Sequence, residues 1–222
     1  MACSEVAGKW LFGEEKFTII HNAIDVDKFI FNQIVRENIR KECEVSRNDF
    51  LIGHVGRFDA QKNHVFLIEV FKQVHKKCPK SKLMLIGEGA LMQNIKKKII
   101  QYKLQDSVIF TGSRDDANLF YNSFDLFVLP SKFEGLGIVA IEAEINGCTT
   151  YLSDKVPQEA KISDKTIYIP LNRNVWVDNI TQTIKNMTNR EAAPFNPYES
   201  NYNINREAQK LQEMYMELWK KY

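Results

Sequence analysis

Cysteine is scarce in this 222-residue chain, with four residues at Cys3, Cys43, Cys78 and Cys148. None is paired at CxxC spacing or placed beside clustered histidines. That excludes a zinc site and a disulfide framework, and free thiols in a reducing compartment are expected. Long apolar runs are also missing. No stretch approaches the roughly 20 residues that a membrane span requires. The opening MACSEVAGKWLFG lacks the basic segment and apolar core of a secretion signal, so a cytoplasmic location is expected. Net charge is small, +2 from 30 basic and 28 acidic residues, which gives no global case for nucleic acid as a partner. Lys96, Lys97 and Lys98 form a local basic run and read as a solvated helix face. Four histidines (His21, His54, His64 and His75) form no metal-ligand spacing, and His54 reads as a hydrogen-bonded core residue within a strand. No serine nucleophile elbow, internal repeat or low-complexity segment occurs. A hydrophobic fraction of 44% with 26% charged residues fits one substantial core.

What is present is strand–helix alternation. Short apolar runs at Phe50–Val55, Leu83–Ile86, Val108–Phe110, Leu126–Leu129, Thr149–Leu152 and Ile167–Pro170 read as buried strands. Amphipathic segments near 35–44, 63–77, 91–99, 138–145 and 175–187 separate them. The pattern predicts an α/β fold, a doubly wound parallel sheet of about six strands. A helix over 2–12 and a brief strand over Phe17–Ile20 are expected ahead of it. A last helix over 203–220 carries the stripe Ile204, Ala208, Leu211, Tyr215 and Leu218, expected to pack in a core or interface. The expected boundaries are a leading segment 1–48, a nucleotide-binding unit 49–190 and a terminal loop and helix 191–222.

Phe124–Gly147 concentrates the chemistry. After the strand Leu126–Leu129, Gly135 and Gly137 open a helix whose free amides, at Gly135, Leu136 and Gly137, can face an anion. Glu134 precedes that helix and Glu142 follows eight positions later, about 10–12 Å further along. Glu142 sits among Ala140, Ile141 and Ala143, so its carboxylate needs a partner, and a ligand hydroxyl is a natural one. Earlier, Gly56 and Arg57 stand at the carboxyl end of the first strand with Lys62 five positions on, on the rim where open parallel sheets bind ligands. Arg57 and Lys62 read equally as solvated loop charges when taken alone. Gly87-Glu88-Gly89 and Gly112-Ser113-Arg114 end the next two strands on that rim, the latter also readable as a polar turn.

FEGLGIVAIE resembles the Glu-x7-Glu motif of the retaining group-1 glycosyltransferases (family 4, GT-B fold), including those of exopolysaccharide and capsular polysaccharide synthesis. Gly56-Arg57-Phe58-Asp59-Ala60-Gln61-Lys62 is similar to the family's Gly-Arg-x4-Lys signature, and Gly87-Glu88-Gly89 to its Gly-Asp/Glu-Gly turn. His21-Asn22-Ala23-Ile24-Asp25 resembles the turn that enters the second half, with Ala23 where the family has glycine. Asp154, Lys155 and Val156 stand where many relatives have paired glycines near the donor sugar. The resemblance implies a UDP-, GDP- or ADP-sugar donor and no required cofactor or metal. It implies that Arg57 and Lys62 neutralise the diphosphate, that Glu134 orients the sugar, and that Gly56 and Glu142 line the nucleotide. Gly112, Ser113 and Arg114 would lie beside the base. It also implies a hexosyltransferase whose acceptor-binding first half is absent here, so that the chain alone is inactive. A sugar or lipid-linked acceptor, a location peripheral to the inner face of the membrane and self-association through interdomain surface complete the expectation. Two other readings stay open: a non-catalytic nucleotide-binding or partner subunit, and an unrelated α/β enzyme such as a dehydrogenase. The last is disfavoured because no Gly-x-Gly-x-x-Gly follows the first strand.

Overall fold

The structure is a computed structural model that describes residues 1–2, 4–186 and 190–220. Its strands are β1 Phe50–Val55, β2 Ser81–Ile86, β3 Val108–Gly112, β4 Leu126–Leu129, β5 Thr149–Ser153 and β6 Thr166–Ile169. They form one sheet in the order β3-β2-β1-β4-β5-β6, with every pairing parallel. The helices are α1 Glu5–Phe12, α2 Gln33–Glu42, α3 His64–Lys77, α4 Met92–Gln101, the single turn α5 Ala117–Phe120, α6 Ile138–Ile145, α7 Arg173–Lys185 and α8 Ile204–Trp219. This is the expected doubly wound α/β sheet.

The strands read as unbroken apolar runs because helices cover both faces. Alternate residues enter different layers. Phe50, Ile52, Leu83, Leu85, Leu126 and Val128 pack with α3, α4 and α7. Leu51, Met84, Ile86, Phe127 and Leu129 pack with α2 and α6. All four residues of β4 are fully buried, and each contributes roughly 1.5–3 kcal/mol of apolar transfer free energy.

Caps set where the helices begin. The Asn32 side chain accepts from the Ile34 and Val35 amides at 2.9 and 3.2 Å, starting α2 two residues before the apolar pattern does. Asn172 does the same for α7, at 3.0 and 3.3 Å from the Asn174 and Val175 amides. Met187, the expected last residue of α7, lies outside the described residues, as does Cys3. At the amino end of the sheet, Asp125 ties β1 to β4 by accepting from the Leu51 amide at 2.7 Å. Arg36 and Arg40 of α2 both bond that carboxylate. Their remaining donors meet backbone carbonyls of 122–124, 46 and 49.

Two expectations are corrected. The segment 17–20 is not a strand. Among the described residues it makes a single parallel bridge, Ala2 to Ile19, with no strand paired beside it. The stripe on α8 is not core. Tyr215 and Leu218 are exposed, with Met216 and Trp219 beside them, and the helix buries only Glu207 near its amino end, on the side of Leu211. Glu207 accepts from the His21 amide at 2.9 Å. Trp10 and Leu11 of α1 are exposed as well.

Glu144 of α6 is fully buried and accepts from the Ile162 amide at 2.8 Å, tying the helix to the segment after β5. Burial pushes its carboxyl up from 4.5 to about 7. Between those values the folded chain holds a proton that the unfolded chain releases. The stability it contributes is therefore complete below 4.5 and lost as pH rises to about 7, roughly 3 kcal/mol in all. Glu144→Gln removes this dependence. Melting scans from about pH 4 to about pH 8 should show the parent losing stability relative to the variant as pH rises. Parallel curves would contradict the assignment.

Candidate functional site

Strand order reverses between β1 and β4, so the chain leaves these neighbours toward opposite sides and a crevice opens at their carboxyl ends. Two loops form its walls, 56–63 after β1 and 130–137 after β4. They are stitched together by the Lys132 amide donating to the Gln61 carbonyl at 2.8 Å and by Asn63 Nδ2 donating to the Pro130 carbonyl at 3.1 Å. Asn63 adopts a left-handed conformation, which turns the chain into α3.

Glu134 stands at the centre of the crevice. Its Oε1 accepts from Lys62 Nζ and from Ser131 Oγ, both at 2.6 Å, and its Oε2 accepts from Gln61 Nε2 at 3.2 Å. Only 15% of the Lys62 side chain and 7% of the Glu134 side chain is exposed, so the pair is largely desolvated. Close backbone approach makes room for it. A Cβ on Gly56 would come within 3.1 Å of the Lys62 stem, and one on Gly87 (φ +129°) would sit 2.3 Å from the Gly56 carbonyl oxygen.

The helix opening lies beside this pair. Gly137 is the N-cap of α6 in the left-handed region, at φ 86°. Among the described residues, the amides of Gly135, Leu136 and Gly137 donate to no protein acceptor. Donors concentrated at a helix N-terminus suit an anion. Phe133, 62% exposed, flanks them and was not singled out by the sequence.

The other expected residues fall as follows. Arg57 is on the rim, 74% exposed, with Nε donating to Asp59 at 2.8 Å. The loop of Gly112 and Ser113 is held to the neighbouring loop by the Ser113 amide donating to Glu88 Oε1 at 3.4 Å. The Arg114 guanidinium is occupied by Asp116 through two bonds of 2.8 Å, with Glu42 at 3.8 Å and the Phe120 ring beneath it. Glu142 requires a correction. Its half-buried carboxylate already has a protein partner, since Tyr121 donates its hydroxyl to Oε2 at 2.6 Å. Burial raises the Glu142 carboxyl, while the Tyr121 bond and the Lys62 charge oppose that shift. Tyr121 was missed because it stands 21 positions away across a strand. His54 is core, as expected, with Nδ1 2.8 Å from the Val128 carbonyl. Burial also drives His64 down to about 4, so it stays neutral beneath the loop.

A doubly wound sheet with a cation–carboxylate pair and free helix amides at its switch point is the frame of an α/β domain suited to an anionic ligand. The family model for glycosyl transferases group 1 matches residues 35–193, and the chain belongs to that family. It is 31% identical to the Bacillus subtilis protein EpsF, named as a glycosyltransferase, over 71% of this chain and 42% of that one. It is 29% identical, over 63% of this chain and 37% of the relative, to an Escherichia coli UDP-Gal:alpha-D-GlcNAc-diphosphoundecaprenol alpha-1,3-galactosyltransferase. The chain thus spans about two fifths of these relatives. A crystal structure of Anabaena HepE in complex with UDP and glucose superposes with a TM-score of 0.79 at 18% identity, covering 97% of this chain and 62% of that one. The sheet is therefore of the GT-B type.

Tyr121→Phe tests the contact on Glu142. A hydrogen bond to a carboxylate favours its ionised form, so losing it should raise the Glu142 pKa further. Carbon-detected titration of labelled glutamate side chains should show the upward shift in a folded variant. An unmoved or lowered value would mean that the hydroxyl does not support the carboxylate.

Proposed function

We propose that this chain is the donor-binding, C-terminal half of a retaining glycosyltransferase. It would pass a sugar from a nucleoside diphosphate sugar to an acceptor hydroxyl in polysaccharide or glycolipid synthesis. The observation that carries this reading is the Lys62–Glu134 pair beside the free amides of 135–137, at the crevice where the strand order reverses. The nucleotide-sugar donor and the lipid-linked acceptor named for the Escherichia coli relative, and the UDP and glucose held by HepE, support the substrate class.

In this reading residues 49–190 form the donor unit. As the bond between the anomeric carbon and the diphosphate breaks, negative charge grows on the leaving group. Lys62, Arg57 and the amides of Gly135, Leu136 and Gly137 stabilise it electrostatically, and no metal is required. Glu134, locked by Lys62, Ser131 and Gln61, orients the sugar. Gly56 allows the backbone to approach the nucleotide, and Glu142 accepts from ribose through the oxygen that Tyr121 leaves open. Gly112 and Ser113 border the base, and Arg114 joins them on release from Asp116. The acceptor site belongs to a first half, for which the exposed apolar residues of α1 and α8 supply docking surface or, without it, self-association. A cytoplasmic location, peripheral to the inner membrane face, follows from a lipid-linked acceptor. A non-catalytic nucleotide-binding or partner subunit that completes a cleft with a separate chain is the second reading, consistent with a crevice walled here by the loops of one sheet.

Binding of donor is tested by calorimetry with UDP, GDP and ADP and their sugars. Arg57→Ala with Lys62→Ala removes charge-assisted bonds worth about 1.5–3 kcal/mol each, so affinity should fall at least tenfold. Glu142→Gln should weaken the diphosphate itself, and Glu134→Gln only the nucleotide sugar. Parent and double variant binding equally, or neither binding, would rule out this site.

Catalysis should require the other half. Holding the acceptor against the anomeric carbon contributes about 7–11 kcal/mol of barrier lowering, and one sheet rim has no opposing lobe to do so. With a mixed acceptor panel, transfer should be negligible for this chain alone and appear when a matching first half is added in trans. Robust turnover by the chain alone would place the acceptor site within it.

A further inference from the structure

Charge is distributed unevenly in this chain. Residues 71–103 contain nine lysines, one acid (Glu88) and no arginine, a net +8 against a chain total of +2, which leaves −6 on the remainder. The fold gathers these lysines. Lys72 of α3 and Lys98 of α4 both approach the Tyr102 ring, at 4.1 and 5.4 Å from its centroid. Lys76 lies one turn beyond Lys72. The last turn of α3 touches the segment after α4, with His75 Nε2 3.2 Å from Ser107 Oγ.

Lys72, Lys76, Lys80, Lys97 and Lys103 are exposed, and among the described residues they make no ion pair. Lys77 and Lys98 do, with Asp178 and Glu69. The acids beside this face, Glu69, Asp106 and Asp178, are outnumbered by its lysines, and that excess of positive charge suits an anionic partner outside the chain.

The side-chain types select among such partners. Nucleic-acid recognition draws on arginine forks and exposed stacking rings; the arginine bordering this face, Arg173, is held by Glu69 at 2.6 Å, and Tyr102 is half-buried beneath two ammonium groups. A fluid sheet of anionic headgroups asks only for flexible point charges, and clusters of four to eight suffice. Ile100, 59% exposed on α4 beside Lys97 and Lys103, adds an aliphatic contact for the headgroup–acyl boundary. The location is compatible with the crevice. Lys80 lies at the amino end of β1, where its carbonyl accepts from the Phe50 amide at 2.9 Å, opposite to the carboxyl rim.

We propose that the lysine face of α3 and α4 docks on the surface of an anionic phospholipid bilayer. This gives a surface to the peripheral location proposed above, but it is tested without sugar transfer.

The experiment is flotation of the full chain with vesicles of phosphatidylcholine alone and of phosphatidylcholine with about one third phosphatidylglycerol. The parent should float only with the anionic vesicles and be released by salt. Changing Lys72, Lys76, Lys97 and Lys103 together to Gln should lower that binding at least tenfold while leaving nucleotide binding and the melting temperature unchanged. A control with Lys16, Lys28, Lys161 and Lys185 changed to Gln should retain it. The proposal is overturned by equal or absent binding to both vesicles, by equal loss in the control, or by tighter binding to RNA or duplex DNA at the same salt. If vesicle binding behaves as expected but no nucleotide binds, the donor-binding reading falls and the docking face stands.

Discussion

Pairing β1 with β4 is the constraint on which the rest of this structure depends. Because all six strands are parallel, each crossover must return over one face, and the hand of the crossover fixes which. The crossovers from β1 and from β4 go to opposite faces, and the rim between them stays uncovered. The loops that leave that rim must still be held. Lys132 to Gln61 and Asn63 to Pro130 close the gap through the backbone, and Lys62 with Glu134 closes it through charge. Removing one partner from so desolvated a pair leaves a buried charge uncompensated, which typically costs about 3–5 kcal/mol. The crevice thus keeps its shape by the same contact that gives it chemical character.

Both ends of the β1–β4 junction carry buried ions, and they differ in what is left over. At the amino end, Asp125 receives two arginines whose terminal nitrogens also bond carbonyls, and the cluster serves as a clasp. At the carboxyl end, Lys62 has three N–H donors and one protein acceptor, and among the described residues the adjoining amides of 135–137 have none. Surplus donors in a partly desolvated site suit an anion, which is why the proposed diphosphate site falls at this end.

The sheet was legible because two-sided burial leaves continuous apolar runs, and Phe50–Val55 and Leu126–Leu129 were read to the residue. The ends of the other four strands moved by a residue or two, since pairing rather than composition decides where a ladder stops. Phe17–Ile20 misled for the same reason: it has strand-like residues and no neighbour to pair with. The stripe on α8 correctly marked an apolar face, but periodicity is silent on what covers it. Lys96–Lys98 alone looked like an ordinary solvated helix face. The window 71–103 shows the excess of lysine, and the packing of α4 against α3 shows that Lys72 and Lys98 meet over the one Tyr102 ring.

Glu142 shows how a contact distant in sequence changes chemistry. Composition around it demanded a partner, and a hydroxyl was the right kind of group, but Tyr121 supplies one from within the chain. A phenol donating to a carboxylate fixes its rotation about the terminal bond, so the free oxygen is aimed before any ligand arrives. It also opposes the shift toward the neutral acid that burial imposes, which in the proposed role keeps an acceptor available to ribose. Each ionised carboxylate oxygen has two acceptor sites, so Oε2 keeps one after Tyr121 is served. A vicinal diol can therefore still address both oxygens, against a carboxylate whose orientation was settled on folding. Preorganisation of this kind lowers the ordering cost of binding, and here it comes from a residue that need not touch the ligand.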